Sequence, residues 1–261
     1  MSIFSAIRML LFPPKCIACG ALFSFDGLDA TPVQLCESCH QQWLSEMLDS
    51  CSLCGKAVSL CTCPTEALRR AGCESFRKLV YYRQSGRALV QNKLIYRMKN
   101  SPSRRCGEFL AERFLDPMRG WIKEDGINPS ECVLVYVPRS KKAVCIAGTD
   151  QAKRICMALS EHTGIPARSA LLRRWGKNRP QKKLKLADRL RNAKEAYRIR
   201  RGIRLDGKTV ILVDDIVTTG ATTGAATKLL KKAGAERVLC LAVASDSFNQ
   251  SAGIRQPTFR I

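Results

Sequence analysis

A chain of 261 residues, 46% of them apolar, can bury one large core, or a main core and a small one beside it. Its 44 lysines and arginines stand against 22 acids, a formal charge of +22, which points to a polyanionic partner: nucleic acid, phosphorylated ligands or an acidic membrane surface. The opening "MSIFSAIRMLLFPP" is apolar, but Arg8 interrupts it and no small-residue cleavage site follows, so neither a transmembrane segment nor a secretion signal is expected. We expect a short helix there, stopped by Pro13 and Pro14. We also expect a cytoplasmic protein in which fourteen cysteines stay reduced.

Eight of those cysteines follow as four pairs: Cys16/Cys19, Cys36/Cys39, Cys51/Cys54 and Cys61/Cys63. Three pairs are C-x-x-C, the last is C-x-C, and Gly20 and Gly55 directly follow two of them. Such a turn aims two sulfurs at one centre, and two turns facing each other complete a tetrahedral zinc site. Pairing in sequence order gives one site from Cys16, Cys19, Cys36 and Cys39 and a second from Cys51, Cys54, Cys61 and Cys63. His40 is an alternative ligand at the first, made poorer by its adjacency to Cys39. Closed four-sulfur sites hold no water, so both are expected to be structural. The remaining cysteines sit among apolar residues and read as core.

After Cys73, "FRKLVYYR" suits a short strand. From Gly86 to Asn100, Val90, Leu94, Ile95 and Met98 recur at helical spacing, with Arg97 and Lys99 among them. "SPSRR" breaks that run, and a second helix follows with Phe109, Leu110, Phe114 and Met118 inward. "CVLVYVP", Cys132 to Pro138, is a continuous apolar run, as expected of a strand buried on both faces. A further helix fits Thr149 to Thr163. The densest charge lies from Arg168 to Lys208, with sixteen basic and three acidic residues. Trp175 stands within its basic run, beside Arg173, Arg174, Lys177, Arg179, Lys182, Lys183, Arg189 and Arg191. Aromatic and cationic side chains mixed in this way grip single-stranded nucleic acid; a solvated helix with Trp175 in the core is the alternative. The Arg97 and Lys99 patch is a further nucleic-acid candidate.

"VILVDDIVTTGATTG", Val210 to Gly224, is a buried strand ending in two acids, then small and hydroxyl residues, then a helix starting near Thr222. Small residues let the backbone approach a ligand closely. Successive N–H groups, a helix N-terminus and threonine hydroxyls make a phosphate cradle. No Gly-Lys-Thr ends the loop and no G-x-G-x-x-G occurs, so it is neither a Walker loop nor a dinucleotide fingerprint. Carboxylates one step from a bound phosphate suit a ribose 5-phosphate.

This stretch resembles the phosphoribosyl pyrophosphate signature of type I phosphoribosyltransferases. The wider chain resembles the ComF/GntX branch of that family, associated with DNA uptake in natural transformation. The resemblance runs through the paired cysteines, "YYRQSGRALVQNKLIYRMKNSP", "VLVYVPRS" and "RPQKKLKLADRLRNAKEAY". It implies that Asp214 and Asp215 bind the ribose hydroxyls and that Thr218, Thr219, Gly220, Ala221 and Thr222 hold the 5-phosphate. It also implies that Arg139, Ser140 and Lys141 face the pyrophosphate with Mg²⁺, and that Arg179 to Asn192 form a mobile cover. Where relatives often carry "HPxRxRxRGFNQA", this chain reads "PRSKKAVCIAGTDQA", so that Gln151 and Ala152 match its end.

The expected architecture is a double zinc ribbon over residues 1–70 and an α/β phosphoribosyltransferase-like domain over 71–261, with a mostly parallel sheet flanked by helices. The expected function is binding of phosphoribosyl pyrophosphate and single-stranded DNA in DNA uptake, with pentosyl transfer to an acceptor the sequence does not name. The alternatives are a non-catalytic DNA-binding or helicase-docking adaptor and a phosphoribosyltransferase of nucleotide metabolism.

Overall fold

The computed structural model describes residues 7, 11–23, 34–83, 89–100, 104–140, 144–146, 148–168, 172–174 and 197–246, with backbone alone for 99, 100 and 172–174. Most of the opening helix, the cover segment and the candidate residues Lys141, Trp175, Lys177, Arg179, Lys182, Lys183, Arg189 and Arg191 lie outside them. In chain order the elements are α1 (Glu37–Met47), α2 (Glu66–Arg69), β1 (Ser75–Tyr82), α3 (Val90–Asn100), α4 (Arg105–Glu124) and β2 (Cys132–Tyr136). There follow α5 (Gln151–Thr163), β3 (Leu172–Arg174), β4 (Tyr197–Ile199), β5 (Thr209–Val217), α6 (Ala221–Lys232) and β6 (Arg237–Asp246).

The apolar runs form one parallel sheet in the order β1-β6-β5-β2, and β3 pairs with β4 in a separate antiparallel ribbon. Parallel strands need helices on both faces, and alternation along β5 shows how they are divided. Ile211 and Val213 join a core with α3, α4 and α5, while Val210 and Leu212 join a second core with α6. The expected parallel sheet flanked by helices is therefore present.

The cysteine-rich segment reaches both faces. Cys16, Ile17, Cys39 and Trp43 belong to the core of α3–α5, and Leu68 of α2 belongs to the core of α6. Trp43 is fully buried and meets Phe109 of α4 edge-on at 5.5 Å between ring centroids. Trp43→Ala should therefore lower unfolding free energy by about 3–5 kcal/mol. A urea titration checks this, and a loss under about 1 kcal/mol would show that the cysteine-rich segment contributes little to the main core.

Several details depart from expectation. β5 runs two residues past its acids, to Val217. α5 starts at Gln151 because the Asp150 side chain caps it, accepting the Lys153 N–H at 3.3 Å. Cys145, expected in the core, is exposed, in a short helical stretch at 144–146 outside the packed elements. β6, fully buried along most of its length, was not among the expected elements; nor were α1, α2, β3 and β4. Among the described residues, no helix is long and apolar enough to cross a membrane.

Candidate functional site

The carboxyl ends of β2 and β5 open beside each other. The last paired residues are Tyr136 and Val213, so Asp214 and the turn after β2 lie just beyond. α5 and α6 cover opposite faces there, the arrangement in which open α/β sheets leave a crevice.

The two adjacent acids differ because successive strand residues face opposite sides. Asp214 turns under α6 and is buried. Its Oδ1 accepts the Asp215 N–H at 2.9 Å and its Oδ2 accepts the Thr223 hydroxyl at 3.1 Å. Burial, and next the Asp215 charge, push the Asp214 carboxyl well above the ordinary range, against those two hydrogen bonds. Asp215 is half-buried on the other face, with its Oδ1 accepting the Ile216 N–H at 2.8 Å.

Thr218 and Thr219 are half-buried and lead into Gly220, whose φ of +75° no other residue in the loop could adopt without strain. Gly220 begins α6, a twelve-residue helix, and brings no side-chain acceptor of its own to the first-turn N–H groups. Thr219 Oγ1 accepts the Ala221 N–H at 3.3 Å, and Thr222 is half-buried. No acid lies in the first turn of α6, so its positive end is not neutralised from within.

Across the crevice, the Arg139 N–H donates to Asp150 Oδ2 at 2.9 Å and its Nη1 donates to Gln151 Oε1 at 2.7 Å. Gln151 is fully buried and donates in turn to the Met98 carbonyl at 3.2 Å, tying α3 to the turn after β2. Asp150 escaped the sequence reading. An acid directly before an amphipathic run signals a helix cap, but its second bond, to Arg139, joins residues eleven apart. Burial pushes the Asp150 carboxyl up; the Arg139 and Lys153 N–H groups oppose this, and the Asp215 charge adds to the rise. Ser140 is half-buried in the same turn.

The nucleic-acid candidates are spread out. Arg97 is half-buried and lies over Gly20 in the first cysteine turn, where a Cβ would collide with its guanidinium. Of Lys99 the backbone alone is described. Arg173 and Arg174 lie on β3, opposite Arg198 and Tyr197 of β4.

The cysteines gather as sequence order predicts. The sulfurs of Cys16, Cys19, Cys36 and Cys39 lie within 4.8 Å of one another, as do those of Cys51, Cys54, Cys61 and Cys63. The Cys19 and Cys36 sulfurs are 3.7 Å apart, close to the roughly 3.8 Å edge of a tetrahedron with Zn–S bonds of about 2.3 Å. Backbone N–H groups point at sulfur in both clusters, from Cys19 to Cys16, Ala21 to Cys19 and Cys63 to Cys61. Burial raises the Cys16 and Cys51 thiols, but backbone N–H groups outweigh it and bring each to about 6. Burial, followed by the neighbouring sulfurs, pushes Cys63 up to about 12, a repulsion that a divalent cation would cancel. Both clusters could hold zinc. Metal analysis should find two per chain, and Cys51→Ser should release one while leaving the first site loaded. Iron, or a folded protein with no metal, would overturn this.

A family model described as "Phosphoribosyl transferase domain" matches residues 176–253. The chain is 33% identical over 92 residues to "Competence protein F" of Haemophilus influenzae, a match covering 35% of this chain and 40% of that protein's length. Among solved structures, a purine phosphoribosyltransferase from Pyrococcus horikoshii Ot3 aligns at 16% identity and a TM-score of 0.30, over 52% of this chain and 74% of that one. TT1426 from Thermus thermophilus aligns at 18% identity and a TM-score of 0.30, over 54% and 73%. Those two likenesses are too slight to bear on the fold. Residues 176–253 match the model of a phosphoribosyl transferase domain, in a chain with a parallel sheet flanked by helices and, ahead of the match, two cysteine clusters fit for zinc.

Proposed function

We propose that the chain binds 5-phosphoribosyl 1-pyrophosphate with Mg²⁺ at the carboxyl ends of β2 and β5. The observation that carries this is the N-terminus of α6, begun by Gly220 with no acid in its first turn, with a half-buried carboxylate, Asp215, at the adjoining strand end. The loop would donate N–H groups and threonine hydroxyls to the 5-phosphate. Asp215 would accept from a ribose hydroxyl; Asp214 would accept with whatever lone pairs its two internal bonds leave free. Arg139, held by Asp150 and Gln151, would face the pyrophosphate beside Ser140 and Lys141. The ligand brings a leaving group at C1 of the ribose. The protein's part is to position it and to neutralise the charge that develops, for transfer to an acceptor nucleophile. Calorimetry with phosphoribosyl pyrophosphate and Mg²⁺ tests this; no heat at millimolar ligand would refute it.

A second reading runs beside the first: the chain handles single-stranded DNA in competence, in the cytoplasm. It is favoured by the +22 charge, by sixteen basic residues between 168 and 208, and by similarity to a competence protein. Fourteen free cysteines suit a reducing compartment. We further propose the division into a ribbon unit over 1–70 and a phosphoribosyltransferase-like unit over 71–261.

A further inference from the structure

The second cysteine cluster is joined to the sheet by an unusual contact. Lys78 of β1 is fully buried, and its Nζ donates to Cys61 Sγ at 3.1 Å while lying 5.1 Å from the centre of the Phe76 ring. A buried ammonium is costly unless it faces negative charge. Four thiolates around one divalent cation carry a formal charge of about −2, and Lys78 stands where it would offset half of that. The adjoining backbone is tied as well: the Phe76 N–H donates to the Thr62 carbonyl at 3.0 Å, between the ligands Cys61 and Cys63.

Two residues beyond Cys63 the chain reaches the phosphate loop. Thr65 is buried, caps α2 by accepting the Leu68 N–H at 3.4 Å, and lies directly against Gly220. A Cβ at Gly220 would collide with the Thr65 hydroxyl and touch Leu68. One turn further along α6, a Cβ at Gly224 would meet the Ala67 carbonyl oxygen at 2.9 Å. The loop is thus seated on the segment that leaves the second cluster. The first cluster packs instead into the core on the opposite face.

We propose that the Cys51/Cys54/Cys61/Cys63 centre braces the phosphate loop, with Thr65 as positioning residue and Lys78 as the charge partner of the metal-bound thiolates. The ligand affected is the phosphoribosyl group, so this rests on the reading above. Metal at this centre fixes Cys61 and Cys63. Those fix the start of α2, and α2 fixes where Gly220 turns and where the α6 N–H groups point. Loss of metal frees the segment, and the loop then has to be ordered by the ligand, which weakens binding.

The test compares the full-length protein with Cys54→Ser, Cys19→Ser, Thr65→Ala and Lys78→Met. Three measurements are made: metal content, hydrogen exchange of the 217–224 amides without ligand, and calorimetry with phosphoribosyl pyrophosphate and Mg²⁺. Cys54→Ser should lose one metal, exchange faster across 217–224 and bind about 5- to 150-fold more weakly. Cys19→Ser should also lose one metal, with faster exchange confined to the first cysteine turn. Thr65→Ala should keep both metals yet exchange faster across the loop. Lys78→Met, which keeps every sulfur, should release metal from the second centre about 10- to 100-fold more readily to a chelator. Unchanged loop exchange after loss of the second metal would overturn the brace, as would an equal effect from loss of the first. If Cys54→Ser does not fold, Thr65→Ala and Lys78→Met decide by the same measurements. If the unaltered protein shows no binding heat, the ligand reading fails, while loop exchange still decides the brace.

Discussion

Replacing Asp214 and Asp215 together by asparagine should abolish phosphoribosyl pyrophosphate binding while raising the melting temperature at neutral pH. The loss of binding follows from removing charge-assisted contacts to the ribose hydroxyls, at about 1.5–3 kcal/mol each, a factor of ten or more per residue. Asp215→Asn alone should account for most of it, because Asp215 is half-buried on its face of β5 whereas Asp214 is buried under α6. The gain in stability follows from Asp214. Burial, with the Asp215 charge next, holds its carboxyl well above the ordinary value of about 4. Between the ordinary value and the raised one, the folded protein binds more protons than the unfolded chain, so stability falls as pH rises through that window. Asparagine carries no charge to bury and escapes the loss. The variant should therefore melt higher than the parent at pH 7, with the difference shrinking toward about pH 4. Calorimetry and melting curves across pH read both effects. A variant that binds as before would make the acids a structural cap, and one that melts lower at pH 7 would show that the carboxylate bonds outweigh its burial. A site that costs stability in its empty state is what a binding role leads one to expect.

Binding of single-stranded DNA should fall steeply with salt. Each phosphate neutralised contributes about −0.7 to the slope of log affinity against log salt. Lys182→Ala with Lys183→Ala should flatten that slope by about 1 to 1.5 units, with little dependence on base sequence. Trp175→Ala should cost about 1–3 kcal/mol if a base stacks on the indole, and should leave the slope nearly unchanged. A fall in melting temperature with affinity intact would assign Trp175 to the core instead. Duplex DNA should bind less well, since its stacked bases offer the indole no face. Anisotropy across a salt series measures all of this, and absence of binding at low salt would remove DNA from the account. Arg97 is a weaker candidate for this surface than its sequence neighbourhood suggests, because its guanidinium covers Gly20 in the first cysteine turn.

Local chemistry can be read from the residues alone. Chelation demands sulfurs at short spacing, so the two cysteine clusters and their sequential pairing were legible before any fold was known. The β5 signature was legible for the same reason: strand end, acids, loop and helix start follow one another within fifteen residues. The long amphipathic helices announced themselves by period. β6 did not, because its apolar run mixes the helix formers Leu239, Leu241, Ala242 and Ala244 with its valines, whereas the Val-rich run of β2 points to strand. Which acid is buried had to await the packed molecule, since that depends on which face of β5 receives α6. Packing also settles that Asp150 and Gln151 hold Arg139, that Lys78 meets Cys61, and that Thr65 lies under Gly220. The last of these joins residues 155 positions apart, a separation no periodicity spans, and only the packing of α2 on α6 brings them together.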